Sequence, residues 1–286
     1  MIERIAILGT GLLGASTGLA LRASGFSGSI VGWNRSEAGA RAALGMGAVD
    51  SIAADALAAA RAAQVILLAP PIFATLDLME RLAPALTPDQ LVTDVGSTKA
   101  QIAEAAARLY NTPGKAAFLP GHPMAGKERG GADLADAALF RNAVWLFTDS
   151  PSAQRTAKAV ELAGDWRALV AAMGARVLDL DPVRHDELVA WVSHLPQFAA
   201  TALSALLEEE VGDAPELKDV GGRGLREMTR LGASPFSMWR DIAHTNTEAI
   251  ARALEKLEQR LAHIRENLRT PELREEFDQA NEFRKE

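Results

Sequence analysis

Ile5-Ala6-Ile7-Leu8-Gly9-Thr10-Gly11-Leu12-Leu13-Gly14 is the stretch from which the architecture follows. Its first four residues form an apolar run ended by glycine, the pattern of a strand buried on both faces of a parallel sheet. The next six form a G-x-G-x-x-G, and Leu12 to Ala23 continues with helical composition. A glycine-rich turn can exist without a ligand, and the motif alone is weak. Placed between a strand and a helix it predicts a dinucleotide site. Gly9 permits the tight turn, Gly11 lets a pyrophosphate approach the backbone, and Gly14 lets helix and strand pack closely. The N–H groups at the helix start, around Leu12 and Leu13, then hold the phosphates.

The alternation continues through the first half. Further strands are predicted at Ser29 to Trp33, Val65 to Ala69, Leu91 to Val95, Ala117 to Leu119, Val144 to Phe147 and Arg176 to Leu180. Alanine-rich helical segments such as Ala53 to Ala63 and Lys99 to Leu109 separate them, which predicts a Rossmann-type, doubly wound parallel sheet of the α/β class. The pattern changes at Asp181-Pro182, beyond which helices alone are predicted. The expected domains are therefore 1–181, binding the dinucleotide, and 182–286, all helical. His185 to Glu210 reads as one helix that Pro196 kinks or breaks. Gly212 to Gly224 reads as a loop. In Glu248 to Leu268, the residues Leu254, Leu257, Leu261, Ile264 and Leu268 are spaced 3, 4, 3 and 4 apart. That apolar seam suits packing within the domain or a subunit interface equally well.

Composition narrows the function. The 286 residues fit two domains at about 100–200 residues each. Thirty Lys and Arg against thirty-seven Asp and Glu give a net charge of −7, which argues against a nucleic-acid partner. The absence of cysteine excludes disulfides, thiolate metal sites and cysteine nucleophiles. No apolar run of about 18 residues or more predicts a membrane span. Met1-Ile2-Glu3-Arg4 passes straight into a strand without a targeting pattern, so a cytoplasmic protein is expected. His185, His244 and His263 show no metal-ligand spacing, and no metal is expected.

The second strand bears on which dinucleotide binds. An acidic residue about 20 positions beyond the last glycine would accept from the adenosine ribose hydroxyls. Asn34 stands there, followed by Arg35 and Ser36. A guanidinium in place of a carboxylate suits a ribose 2′-phosphate, so NADP is favoured. Glu37 weighs against this, and an Arg35 stacked on adenine would leave NAD as the cofactor. Ala69-Pro70 and the Asp94 to Lys99 stretch, which includes Ser97, both follow strands, where ligands bind in such sheets. Asp94 is expected to cap or turn the chain, and Lys99 to be a surface residue at a helix start or a ligand group. His122 follows another strand, on a helix-free loop between Gly121 and Pro123. It is the candidate general base.

Together these segments resemble the prephenate and arogenate dehydrogenases of tyrosine biosynthesis. The resemblance rests on Gly9 to Gly14, Asp94 to Lys99, Gly121-His122-Pro123-Met124-Ala125-Gly126, Val192-Ser193-His194-Leu195-Pro196, Arg230 and Met238-Trp239-Arg240-Asp241-Ile242. It implies oxidative decarboxylation of prephenate or arogenate, with hydride passed to a nicotinamide cofactor. It further implies that His122 binds the ring hydroxyl and takes its proton, and that Ser97 orients that hydroxyl. Arg230 is implied to bind the ring carboxylate, His194 to lie in the substrate pocket, and Glu128 and Trp239 to line its mouth and side-chain end. A homodimer built through the helical domain is implied as well. Asn34 stands where many relatives have an acidic residue and Gln197 where some have histidine, so NAD against NADP and prephenate against arogenate stay open. Two alternatives share the glycine fingerprint. A β-hydroxyacid or imine dehydrogenase would centre on a helical-domain lysine, and Lys218 lacks that context. A non-catalytic NADP sensor would leave His122, His194 and Arg230 without a task.

Overall fold

The computed structural model describes residues 1–127, 129–150 and 153–285. Six parallel strands form the main sheet: β1 (Arg4–Leu8), β2 (Ser29–Trp33), β3 (Ser51–Ile52), β4 (Val65–Leu68), β5 (Leu91–Asp94) and β6 (Ala117–Leu119). Their spatial order is β3-β2-β1-β4-β5-β6. Chain direction across the sheet reverses between β1 and β4, and the crevice beyond their carboxyl ends is where such sheets bind ligands. Both faces are covered, by α1 (Leu12–Ala23), α2 (Glu37–Gly45), α3 (Ala56–Arg61), α4 (Ile72–Leu82) and α5 (Ala100–Leu109). Every residue of β4 and β5 is accordingly buried; β4 reads as an unbroken apolar run, whereas β5 opens with Leu91-Val92 and also buries Thr93 and Asp94.

A second, three-stranded sheet differs from the sequence expectation. Val144 to Phe147 and Arg176 to Leu180 do not extend the parallel sheet. They form β8 (Val144–Phe147) and β9 (Arg176–Asp179), parallel to each other, with β7 (Gly121–Pro123) antiparallel to β8. His122, expected on a loop, lies on β7 opposite Leu146. Three residues bracketed by glycine and proline carry no alternation signal, and Pro123 is tolerated because β7 is an edge strand. Helix α6 (Ala157–Ala172) backs this sheet through Trp166, which meets Trp145 edge-on at 6.3 Å.

From Pro182 onward the described residues are helical. Asp181 caps α7 (Pro182–Val189), accepting from the N–H groups of Val183 and Arg184 at 2.9 and 3.0 Å, with Pro182 in the first turn. The expected single helix is interrupted before Pro196. Ala190–His194 widen into a π turn, and α8 (Leu195–Val211) resumes with the proline in its first turn. Proline cannot donate to the preceding turn and crowds its carbonyl, and the wider turn accommodates both effects. The expected loop at Gly212 to Gly224 contains α9 (Leu217–Val220) and the start of α10 (Arg223–Thr229). Then follow α11 (Phe236–Thr245), α12 (Thr247–Glu266) and α13 (Glu272–Phe283). Ile242 of α11 and Ile250 of α12 join the core built by α3, α4 and α5, so the helical part packs directly onto one face of the sheet domain.

Candidate active site

Backbone contacts explain the three glycines of the fingerprint separately. Gly9 has φ +101°, and a Cβ there would lie 2.6 Å from the Ala69 carbonyl carbon and 2.7 Å from the Pro70 nitrogen. A Cβ on Gly14 would lie 2.0 Å from the Gly9 carbonyl oxygen. A Cβ on Gly11 would meet nothing within 4 Å. Gly9 and Gly14 are therefore required by the protein itself, whereas the space over Gly11 is free for a ligand. Helix α1 starts at this opening with no side-chain cap and no acidic residue in its first turn. Uncapped N–H groups and the positive end of a helix fit a pyrophosphate. At the end of β2, the Asn34 amide donates to the Ser36 carbonyl at 3.2 Å, Ser36 caps α2, and Arg35 is exposed. Glu37 is paired with Arg41 at 2.5 Å, so the negative charge that weighed against a phosphate beside Arg35 has its own partner.

The loop leaving β5 is held by a buried ion pair. Asp94 Oδ1 accepts from the Gly121 N–H at 3.0 Å, Oδ2 accepts from the Gly96 N–H at 2.7 Å, and Oδ2 also pairs with Lys99 Nζ. Asp94 does turn the chain, as expected. Lys99 is not a surface residue: it is fully buried with Asp94. Burial pushes its pKa down, opposed by Asp94 and Asp186. Asp94 thus ties β5 to β7 and fixes the loop carrying half-buried Ser97 beside the strand carrying His122.

His122 is 8% exposed, and its Nδ1 lies 2.9 Å from Nε2 of His185 on α7. His185 Nδ1 lies 2.8 Å from Asp186 Oδ1. Burial pulls the His122 pKa well below the usual histidine value, and the charges of His185, Lys99 and His194 act in the same direction. His122 is therefore the neutral form that a general base requires. His194, on the π turn, is held neutral with a pKa of about 4, chiefly by burial. Its Nδ1 is 3.3 Å from the Asn246 amide, which also donates to the Asp186 carbonyl at 2.8 Å. Trp239 meets His194 edge-on at 5.8 Å and Phe198 at 5.7 Å. Its indole N–H is buried without a hydrogen-bond partner among the described residues. A buried donor of this kind costs free energy unless an acceptor reaches it, and the core indoles of Trp145 and Trp166 share that condition.

The structure thus gathers His122, His194 and Trp239 into one cluster with Lys99. Arg230 lies apart in exposure, on the turn Arg230–Ala233 between α10 and α11. Buried Gln197 fixes that turn, donating to the Leu231 carbonyl at 2.7 Å and accepting from the Ser234 hydroxyl at 3.0 Å. Glu128 lies outside the described residues. Sequence reasoning missed the roles of His185, Asp186 and Asp241. Asp186 accepts from the N–H groups of Lys99 and Ala100 at 2.7 and 2.9 Å, capping α5. Asp241 accepts from the Phe73 N–H at 3.3 Å, at the start of α4. Two carboxylates of the helical part therefore hold two helix N-termini at the carboxyl edge of the sheet. Acidic residues scattered along helices give no sequence signal for such a task.

A parallel sheet in this order, with a glycine cradle at its crossover point, defines a dinucleotide-binding α/β protein. Two family models match: residues 17–178 match the prephenate dehydrogenase nucleotide-binding domain, and residues 181–282 its dimerization domain. The chain belongs to the prephenate dehydrogenase family. It is 31% identical over 264 residues to a prephenate dehydrogenase from Lactococcus lactis, covering 92% of this chain and 70% of that protein. The crystal structure of Synechocystis arogenate dehydrogenase superposes with a TM-score of 0.77 at 31% identity, covering 99% of both chains. Prephenate dehydrogenase from A. aeolicus, in complex with hydroxyphenyl propionate and NAD+, superposes with a TM-score of 0.82 at 27% identity. That match covers 100% of this chain and 96% of the other.

Proposed function

We propose that the chain carries out the oxidative decarboxylation of a cyclohexadienyl acid, prephenate or arogenate, at a site built from Ser97, His122, His194, Arg230 and Trp239. The product is 4-hydroxyphenylpyruvate or tyrosine, which places the reaction in tyrosine biosynthesis. Residues 1–181 hold the dinucleotide. Residues 182–286 supply the helical substrate and dimerisation domain. The observation that carries this assignment is a buried, neutral His122 on β7, tied through Asp94 to the loop bearing Ser97.

Bound nicotinamide supplies the hydride acceptor. Gly9, Gly11, Gly14, Leu12, Leu13, Ala69 and Pro70 hold the dinucleotide. Ser97 orients the ring hydroxyl, and His122 takes its proton, which raises electron density at the carbon that loses hydride. Arg230 holds the ring carboxylate through paired N–H donors until that carbon–carbon bond breaks. The bond's electron pair flows into the ring, carbon dioxide leaves, and the ring oxygen recovers a proton from His122. His194 and Trp239 present N–H groups to the acidic side chain. Glu128 is assigned to the pocket mouth by family resemblance.

The exposed Arg35 and the amide in place of a carboxylate at Asn34 favour NADP over NAD. Leu261 and Leu268 of the seam remain 56% and 60% exposed, which favours the subunit-interface reading and a homodimer through the helical domain. No helix among the described residues is long and apolar enough to cross a membrane.

Paired variants test the assignment. His122→Asn is expected to keep cofactor affinity and lose roughly 10²-fold or more in kcat. Arg230→Ala is expected to raise KM by about tenfold to a hundredfold, the size of a lost charge-assisted hydrogen bond. An unchanged kcat in the first, or an unchanged KM in the second, overturns the corresponding role.

A further inference from the structure

We infer that His185 and Asp186 are positioning residues that lock His122 in the tautomer with its proton on Nδ1 and its lone pair on Nε2. The inference rests on the assignment of His122 as the base, and it concerns which ring nitrogen does that work. The Asp186 carboxylate is oriented by the α5 N-terminus, accepting from Lys99 N at 2.7 Å and Ala100 N at 2.9 Å. A carboxylate accepts only, so His185 Nδ1, 2.8 Å away, carries a proton. A neutral imidazole has one N–H, so His185 Nε2 is an acceptor. His122 Nδ1 lies 2.9 Å from that acceptor and must donate to it. The remaining nitrogen of His122, Nε2, therefore holds the lone pair.

The neutral state on which this depends has several causes. Burial holds both rings below the usual histidine value, and Lys99 opposes protonation of both. His194 also opposes protonation of His122, while Asp186 and Asp94 favour that of His185 without overcoming burial and Lys99 together. The lock spans the two parts of the molecule, since His122 is on β7 and the other two residues are on α7. When His122 takes the substrate proton on Nε2, its Nδ1–H stays bonded to His185. The dipole of that ring, aligned by Asp186, then faces the new positive charge. This is the logic by which a carboxylate orients a catalytic imidazole, extended by one ring.

Histidine-selective ¹⁵N NMR on the full-length protein reads the tautomer directly, with the His122 signals identified by their loss in His122→Asn. The expected result is a pyrrole-like Nδ1 and a pyridine-like Nε2 on His122. A proton on Nε2 in the resting protein overturns the inference, whether or not any substrate turns over. Failure of the functional assignment would appear separately, as no turnover with the tautomer as stated. Kinetics give the second readout. His185→Leu is expected to lower kcat by roughly 10²-fold with KM and cofactor affinity retained, and to mix the His122 tautomers. His185→Gln can accept through its carbonyl and donate through its amide, so it is expected to restore the Nδ1–H tautomer and most of kcat. Equal kcat in wild type and His185→Leu, or no difference between Leu and Gln, contradicts a positioning role.

Discussion

A methyl group on Gly14 would sit 2.0 Å from the Gly9 carbonyl oxygen, while one on Gly11 would touch nothing within 4 Å. The same substitution therefore has opposite consequences three residues apart. Gly14→Ala is expected to lose roughly 1–3 kcal/mol or more of stability by overpacking, read as a lower denaturation midpoint. Gly11→Ala is expected to stay within about 0.5 kcal/mol of wild type and to weaken dinucleotide binding about tenfold or more, measured by titration. Equal destabilisation by both would mean that the space over Gly11 is not kept for a ligand. These glycines are legible in the sequence because each meets a local requirement of a strand–turn–helix. The residues that surround His122 are not. His185 and Asp186 look like an ordinary pair on an amphipathic helix, and only the packing of α7 against α5 and β7 gives them their partners.

Among the elements, β1, β4 and β6 were readable because their burial on both faces leaves apolar runs. Strand β2 alternates buried with exposed or half-buried residues, β5 ends on the polar Thr93 and Asp94, and β3, two residues long with one exposed, left no signal. Strand β7 was hidden for a different reason: its pairing with β8 is long-range, and Gly121 and Pro123 mask its period. The join between β5 and α5 was half legible. The turn at Asp94 follows from local chemistry, whereas the burial of Lys99 follows from α7 closing over the start of α5. That pair supplies a test. Lys99→Met leaves the Asp94 carboxylate buried without its partner and is expected to cost about 3–5 kcal/mol in chemical denaturation. Replacing both, with Asp94→Asn added, is expected to recover part of the loss. A single-variant loss below about 0.5 kcal/mol would mean that the pair does not hold this junction.

Across the whole molecule, the change from strand–helix alternation to helices alone was visible near Asp181-Pro182, where Asp181 caps α7. The way the two parts meet was not visible. Ile242 and Ile250 share the core of the sheet domain, and Asp186 and Asp241 cap two of its helices. The geometry brings His122 from one part against His185 and His194 from the other, so the proposed site exists only in the docked molecule. A net charge of −7 does not argue against the proposed dianionic substrate, because the proposed contact with Arg230 would act at short range and surface charges farther away are screened. The most direct measurement is the initial rate of cofactor reduction by the purified protein, crossing prephenate and arogenate with NAD and NADP and trapping released carbon dioxide. Reduced cofactor and carbon dioxide should appear in equal amounts with at least one substrate, faster with NADP than with NAD. Bound cofactor with no reduction in any of the four combinations would refute oxidative decarboxylation as the reaction of this site.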